Sequence, residues 1–320
     1  MYDLTAVGEC LIDFAPEGVN PQGMALFSRN PGGAPANALA MNARLGGRTA
    51  FLGKVGRDAF GDFLQKSLEK AGIDCTGLCR DEKIPTTLAF VQLDEKGDRT
   101  FSFYRDPGAD LMLRPEDLRT DLLENCRIFH YGSVSLTGEP GREATWAAVR
   151  TAGQAGALLS CDPNYRPLLW KDEETALREM KKAVSLADIV KVSREEMTLL
   201  TGETDLKAGA ERLKQTGPLT VVVTCDAEGA FFDAPAGRGM VPGFSVKAVD
   251  STGAGDAFWG ALLSRIPGRG RNTLEAMTLA DWKEAVRFAN GAGALTVTKK
   301  GAIPAMPDRE TLEEFLRRQA

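Results

Sequence analysis

A single histidine, His130, stands in 320 residues, so metal centres built on imidazole ligands, and triads that need a histidine base, have almost nothing to draw on. His130 itself falls in the apolar run Arg127-Ile-Phe-His-Tyr131 and reads as structural. Cysteine is scarce too. The six residues Cys10, Cys75, Cys79, Cys126, Cys161 and Cys225 are scattered, mostly inside apolar strand-like runs, with no Cys-x-x-Cys pair. They read as buried reduced thiols that behave as small hydrophobes, and structural zinc is not expected. No apolar run approaches the roughly 18 residues of a membrane span, and Met1-Tyr-Asp-Leu-Thr-Ala-Val-Gly-Glu9 lacks a basic region followed by an apolar one. The expectation is a cytoplasmic protein without a membrane partner. Positive charge is not in excess either: a net charge of -5, with no local Lys/Arg cluster, gives no footprint for a nucleic-acid backbone. Two phosphate-binding turns are also missing. Without Gly-x-Gly-x-x-Gly after the first strand a nicotinamide-dependent oxidoreductase is disfavoured, and without Gly-x-x-x-x-Gly-Lys-Ser/Thr the P-loop kinases are excluded.

What is present is enough apolar material, 43%, for a substantial core. Short apolar runs alternate with longer segments of helical period, the pattern of β-α units on a mostly parallel sheet. Strands are predicted at Leu4 to Val7, Thr49 to Gly53, Ile128 to Tyr131, Ala157 to Cys161, Ile189 to Val192 and Leu219 to Thr224. Helices are predicted at Ala34 to Leu45, Ala59 to Ala71, Arg142 to Gly153, Glu173 to Ala187 and Leu206 to Gln215. One stretch breaks the alternation: Thr87 to Leu93 and Arg99 to Tyr104 read as two strands joined by the turn Asp94-Glu-Lys-Gly-Asp98. With Glu9 to Phe14 and Met24 to Arg29 this hairpin can form a small antiparallel sheet off the body, a natural lid. With no repeat, low-complexity tract or long linker, the expectation is one domain over 1–320, with a lid inserted at about 9–30 and 87–106.

Two glycine-rich segments carry the chemistry. In Val249-Asp-Ser-Thr-Gly-Ala-Gly-Asp-Ala-Phe258 a turn runs straight into an apolar helical pattern, so backbone N–H groups and the positive helix end can hold phosphoryl oxygens. Asp256 at that helix start would reach a hydroxyl attacking the same phosphorus; equally, it caps the helix and complements its dipole. In Asn30-Pro-Gly-Gly-Ala-Pro-Ala-Asn37 the pair Gly32 and Gly33 can bring amides close to a polyhydroxylated ligand, and Asn37 offers a donor and an acceptor. A glycine turn before a helix with a tolerated Asn accounts for the same residues.

Together, Gly32-Gly-Ala-Pro-Ala-Asn37 and Asp250-Ser-Thr-Gly-Ala-Gly-Asp256 resemble the two signatures of the ribokinase-like (PfkB) carbohydrate kinases, and the likeness covers nearly the whole chain. It implies a Rossmann-type three-layer α/β sandwich with a β lid, ATP with Mg2+, and Asp256 as catalytic base beside an anion hole of Gly253, Ala254 and Gly255. Within the family, Phe103-Tyr-Arg-Asp-Pro-Gly-Ala-Asp110, Tyr131-Gly-Ser-Val-Ser-Leu136 and Asp162-Pro-Asn-Tyr-Arg-Pro-Leu-Leu-Trp170 are most similar to fructokinases. Arg105 and Arg166 are then expected near the sugar and the transferring phosphate, and Asp13 on sugar hydroxyls, which a carboxylate suits by accepting two strong hydrogen bonds. Ser193-Arg-Glu-Glu196 departs from the family's Asn-x-x-Glu. Glu196 keeps a water-mediated magnesium role, Ser193 reads as opening a capping box, and Lys191 becomes a phosphate contact. Thr224, Asp226 and Gly229 resemble the turn that meets the nucleotide, and Asn290 a position near adenine. Asp250 and Thr252, with the turn around Gly301, resemble a monovalent-cation loop, which makes K+ the expected ion. The implied reaction is transfer to a primary hydroxyl, fructose giving fructose 6-phosphate. The alternatives are a 2-keto-3-deoxygluconate kinase and a silent sugar- or nucleotide-binding regulator. Apolar lid strands would be uncomfortable as open edges, so a homodimer through the lid is expected.

Overall fold

A computed structural model describes residues 1–93 and 99–319, so the turn expected at 94–98 lies outside the described residues. The strands are β1 (Tyr2–Val7), β2 (Leu11–Val19), β3 (Ala25–Gly32), β4 (Thr49–Gly56), β5 (Ile73–Asp81), β6 (Leu88–Leu93), β7 (Arg99–Tyr104), β8 (Cys126–Tyr131), β9 (Leu158–Cys161), β10 (Ile189–Ser193), β11 (Thr220–Thr224), β12 (Gly229–Ala234) and β13 (Gly237–Pro242). Among the described residues nine of them form one sheet in the order β13-β12-β11-β10-β9-β8-β1-β4-β5. From β11 to β5 every pairing is parallel, while β12 and β13 close one edge antiparallel.

Side chains alternate across the pleat, so each central strand feeds two cores. Leu4 and Ala6 of β1 join Trp259 and Trp282 on one face; Val7 joins Phe129, Tyr131 and Val190 on the other. Helices cover both faces, giving the three-layer sandwich read from the alternating pattern. The predicted strands and helices are all present, with ends shifted by a few residues. The edge strands β5 and β13, and β12 beside β13, were not foreseen.

β2, β3, β6 and β7 form a separate four-stranded sheet in the order β3-β2-β6-β7. It is mixed rather than purely antiparallel. β2 pairs antiparallel with β3 and β6 with β7, but β2 and β6 run parallel, because both leave the body in the same direction and each is followed by its own returning partner. Phe14 stacks on Phe90 at 4.8 Å and meets Phe60 of helix Ala59–Lys70 edge-on at 5.9 Å, so aromatic packing ties this sheet to the body.

His130 is buried in the core with Nδ1 3.0 Å from Ser160 Oγ, and burial pushes its pKa down to about 3, which keeps the ring neutral. All six cysteines are free; Cys10, Cys126, Cys161 and Cys225 are buried. Among the described residues no helix is long and apolar enough to cross a membrane.

Candidate active site

In a parallel sheet the strand carboxyl ends and the loops leaving them gather on one edge, where ligands bind. Here the loops after β1, β8, β9 and β10 meet the base of the small sheet around a cavity of about 700 Å3, a volume ordinary for a small-molecule site. Its far wall is the turn before helix Ala254–Ser264. Gly253, at φ 75, ends that turn in the left-handed region, and a Cβ there would meet Ala302 Cβ at 2.5 Å, so only glycine fits without a shift. Gly253, Gly255 and Asp256 all line the cavity. The helix start, with the uncommitted N–H groups and partial positive charge of every such terminus, therefore opens onto it.

Asp256 is buried and both its carboxylate oxygens accept amide hydrogen bonds. Asn37 Nδ2 donates to Oδ2 at 2.8 Å and Asn164 Nδ2 to Oδ1 at 3.1 Å. Asn37 Oδ1 is buried without a partner, an acceptor left over in the cavity wall. Beside the same helix start, Lys191 Nζ donates to Asp162 Oδ2 at 2.6 Å, with both side chains almost fully buried. Burial alone would lower the Lys191 pKa, but Asp162, Glu196 and Asp256 together raise it above its ordinary value, so it stays protonated. Burial pushes Asp162 up while Lys191 pulls it back; burial and the neighbouring Asp162 push Glu196 up.

The capping box read in the sequence is present: Glu196 N donates to Ser193 Oγ at 3.1 Å and Ser193 N to Glu196 Oε2 at 2.8 Å. The other carboxylate oxygen accepts from Tyr165 N at 2.7 Å, which ties the helix start to the loop carrying Asn164. Glu196 thus has a complete structural role and still lines the cavity.

Glu9 and Asp13 form the side of the cavity nearest the small sheet. Burial raises each carboxyl to about 7. Glu9 Oε1 accepts from Ala34 N at 2.8 Å, whereas Oε2 is buried with no partner. A carboxyl raised by folding stabilises the fold fully below its ordinary range, and that contribution is lost as pH rises through about 7. The ligand-free protein is therefore expected to show a falling melting temperature from about pH 5 to pH 8, with a shallower slope in Asp13→Asn. A thermal scan across pH checks this, and an unchanged slope in the variant would contradict it.

Of the residues singled out in the sequence, Asp13, Gly33, Asn37, Arg166, Lys191, Glu196, Thr252, Gly253, Gly255 and Asp256 line this one cavity. Gly32 ends β3 beside it, where a Cβ would collide with Asp13 Oδ2. Ala254 is outside the lining, and its N–H donates to Ser251 O at 3.3 Å. Arg105 is not at the cavity. Its guanidinium is buried at the base of the small sheet, with Nε and Nη2 on Asp110 Oδ2 at 2.8 and 2.6 Å and Nη1 on Thr137 Oγ1 at 2.8 Å. Thr224 ends β11, and the turn with Asp226 and Gly229 follows it. Asn290 Nδ2 donates to Val241 O and Pro242 O at 3.0 and 3.1 Å, so its amide ties its helix to the end of β13. Asp250 accepts from Thr252 N at 2.8 Å and from Gly301 N at 2.9 Å, linking the two turns expected to form one loop.

The sequence reading passed over Glu9, Asp162 and Asn164. Asp162 and Asn164 lay inside a quoted motif, but nothing in local periodicity reports that Asn164 meets a carboxylate 92 positions away.

The arrangement offers a carboxylate oriented by two amides, a helix start for anionic oxygens, a buried ammonium and two hydroxyl-accepting carboxyls. Residues 1–309 match the model of the pfkB family of carbohydrate kinases. Probable fructokinase-5 of Arabidopsis thaliana is 43% identical over 317 residues, which span 98% of this chain and 97% of that protein. The fructokinase of Xylella fastidiosa with bound ATP superposes with a TM-score of 0.92 at 37% identity, covering 100% of this chain and 99% of that one. A double mutant of the Vibrio cholerae O395 fructokinase, solved in its fructose, ADP and potassium ion bound form, gives 0.86 at 36% identity over 98% of each chain. With its two glycine-rich signatures facing one cavity at the sheet's carboxyl edge, the chain belongs to the pfkB family of carbohydrate kinases.

Proposed function

We propose that the protein transfers the γ-phosphoryl group of ATP to a primary hydroxyl of fructose, the one on C6, giving fructose 6-phosphate and ADP. The observation that carries this reading is Asp256, held by two amides at the mouth of a helix start that can receive the transferring group. As the sugar oxygen bonds to Pγ and the bond from Pγ to the β-bridging oxygen breaks, the hydroxyl proton passes to Asp256. The N–H groups around Gly253 and Gly255 stabilise the charge on the equatorial oxygens without reorganising. Asp13, and the spare acceptor Asn37 Oδ1, take sugar hydroxyls; Arg166, exposed at the rim, reaches the migrating phosphate. Lys191 neutralises the carboxylates behind the phosphates. Thr224, Asp226, Gly229 and Asn290 form the nucleotide side.

Among the described residues no three His, Cys, Asp or Glu side chains gather as a metal-holding set. That fits a magnesium carried on the nucleotide phosphates with its own waters, which Glu196 would meet through water; when bound it neutralises charge on the β and γ oxygens. The loop of Asp250 and Thr252 is assigned to potassium, by analogy with the potassium in the Vibrio cholerae structure. Turnover higher in potassium than in sodium checks this.

A sugar acid is the poorer substrate on this reading. The Arg105 guanidinium is spent on Asp110, Thr137 and Val134 O rather than open to a substrate carboxylate, and Glu9 adds a carboxyl to the cavity wall. Fructose is expected to turn over at least tenfold better in kcat/KM than 2-keto-3-deoxygluconate when ADP release is followed with each. A preference for the acid would replace fructose and keep the mechanism, and no release with any sugar would favour the regulator.

The domain is read as single and cytoplasmic, its small sheet as a lid over the sugar. That sheet exposes Val19, Leu26, Phe27 and Tyr104, more apolar surface than a lone edge tolerates, and the pairing proposed is a homodimer through the lid. Light scattering at twice the 34.4 kDa chain mass is the expected result; a monomer would defeat it.

A further inference from the structure

Asn164 has an unusual backbone and a specific target. Its φ is 47, in the left-handed region that Asn tolerates better than most side chains. The turn is held from below: Asp162 Oδ1 accepts from Asn164 N at 3.2 Å, and Asp162 Oδ2 is fixed by Lys191 Nζ at 2.6 Å. The carbonyl of the intervening Pro163 accepts from Ser133 N at 3.1 Å, which pins the loop to the neighbouring one. At the end of this brace the Asn164 amide donates to Asp256 Oδ1, opposite the Asn37 amide on Oδ2. A carboxylate whose two oxygens are each bonded to an amide from a different element has one orientation. Each oxygen keeps a further lone pair for a hydroxyl.

We infer that Asn164 is a positioning residue for the reaction, aiming the Asp256 carboxylate at the acceptor hydroxyl through a turn braced by the buried Asp162–Lys191 pair. The inference rests on the reading of Asp256 as the base and deepens it. A role confined to the backbone turn makes the opposite prediction, because glycine adopts positive φ more readily than asparagine.

The discriminating variant is therefore Asn164→Gly, which suits the turn and removes only the amide. It should fold with an unchanged melting temperature, keep the fructose KM within about threefold, and lose kcat by roughly 10- to 100-fold, the scale of a misaimed catalytic group. Full kcat would reduce Asn164 to a turn former and overturn the inference. A raised KM at unchanged kcat would make it a sugar contact and overturn it equally. The cycle with Asp256→Asn separates this from the underlying reading. If Asn164 acts through the carboxylate, Asn164→Gly costs little more once the carboxylate is gone; multiplicative losses contradict it. Near-normal turnover of Asp256→Asn by itself would sink the base assignment, an outcome read from a different variant.

Discussion

Replacing Asp256 with asparagine is expected to cut fructose-dependent turnover by roughly 100-fold or more, the loss typical of a general base, while fructose still binds. The substitution keeps the volume and one acceptor oxygen. It places an NH2 group against one of the two amides that now donate to the carboxylate from Asn37 and Asn164, so the side chain also loses its fixed aim. Both effects fall on the chemical step. A fall in kcat with the fructose KM nearly unchanged is the signature of an interaction made only as the proton moves. Fructose-induced protection against heat, measured with the variant, reports binding without turnover. Retained turnover would leave Asp256 as no more than the acidic residue that complements its helix dipole.

The second large effect concerns stability. Lys191 is a protonated amine among Asp162, Glu196 and Asp256, and its raised pKa comes from those carboxylates outweighing its burial. Lys191→Met removes the counter-charge and leaves buried acids unpaired, for which a loss of about 3–5 kcal/mol is expected. The sign of its pH dependence follows. Asp162 and Glu196 are already raised by burial, and without Lys191 they rise further. Their contribution is then complete at low pH and is lost as pH increases, so the deficit should shrink on acidification. Denaturant unfolding at two pH values checks this. Adding Asp162→Asn to Lys191→Met should recover part of the loss, since it removes an unpaired charge. A variant as stable as the parent at neutral pH would show that the pair is not holding the loops together.

How much of this was legible in the chain depends on where each signal lives. The glycine turn running into an apolar helix at 253–264 and the two strands that break the alternation are local patterns, and these elements stand where they were expected. β5 and β13 were missed because sheet edges need no continuous apolar run: Ile73-Asp-Cys-Thr-Gly-Leu-Cys-Arg-Asp81 and Gly237-Arg-Gly-Met-Val-Pro242 carry polar residues and glycines throughout. β12 was passed over inside a segment read as a nucleotide turn. The parallel contact between β2 and β6 depends on the direction in which two separate segments leave the body, which no spacing records.

The site shows the same division. Asp256 and Asn37 were visible because each stands in a motif, but their contact spans 219 positions. Arg105 shows the converse. Its motif's likeness to fructokinases placed it near the sugar, yet Asp110, five positions on, pairs with it in the folded chain. Glu9 was read as the start of a lid strand, whereas it stands in the loop between β1 and β2, buried with one oxygen unpartnered.

The central claim is transfer to the C6 hydroxyl with Asp256 taking its proton, and the most direct measurement follows ADP release with fructose and with 6-deoxyfructose, which lacks that hydroxyl. Sustained release with fructose, none above the no-sugar rate with 6-deoxyfructose, and inhibition of fructose turnover by the deoxy sugar are the predicted results. Release that persists with 6-deoxyfructose would move the acceptor to another hydroxyl and contradict the account.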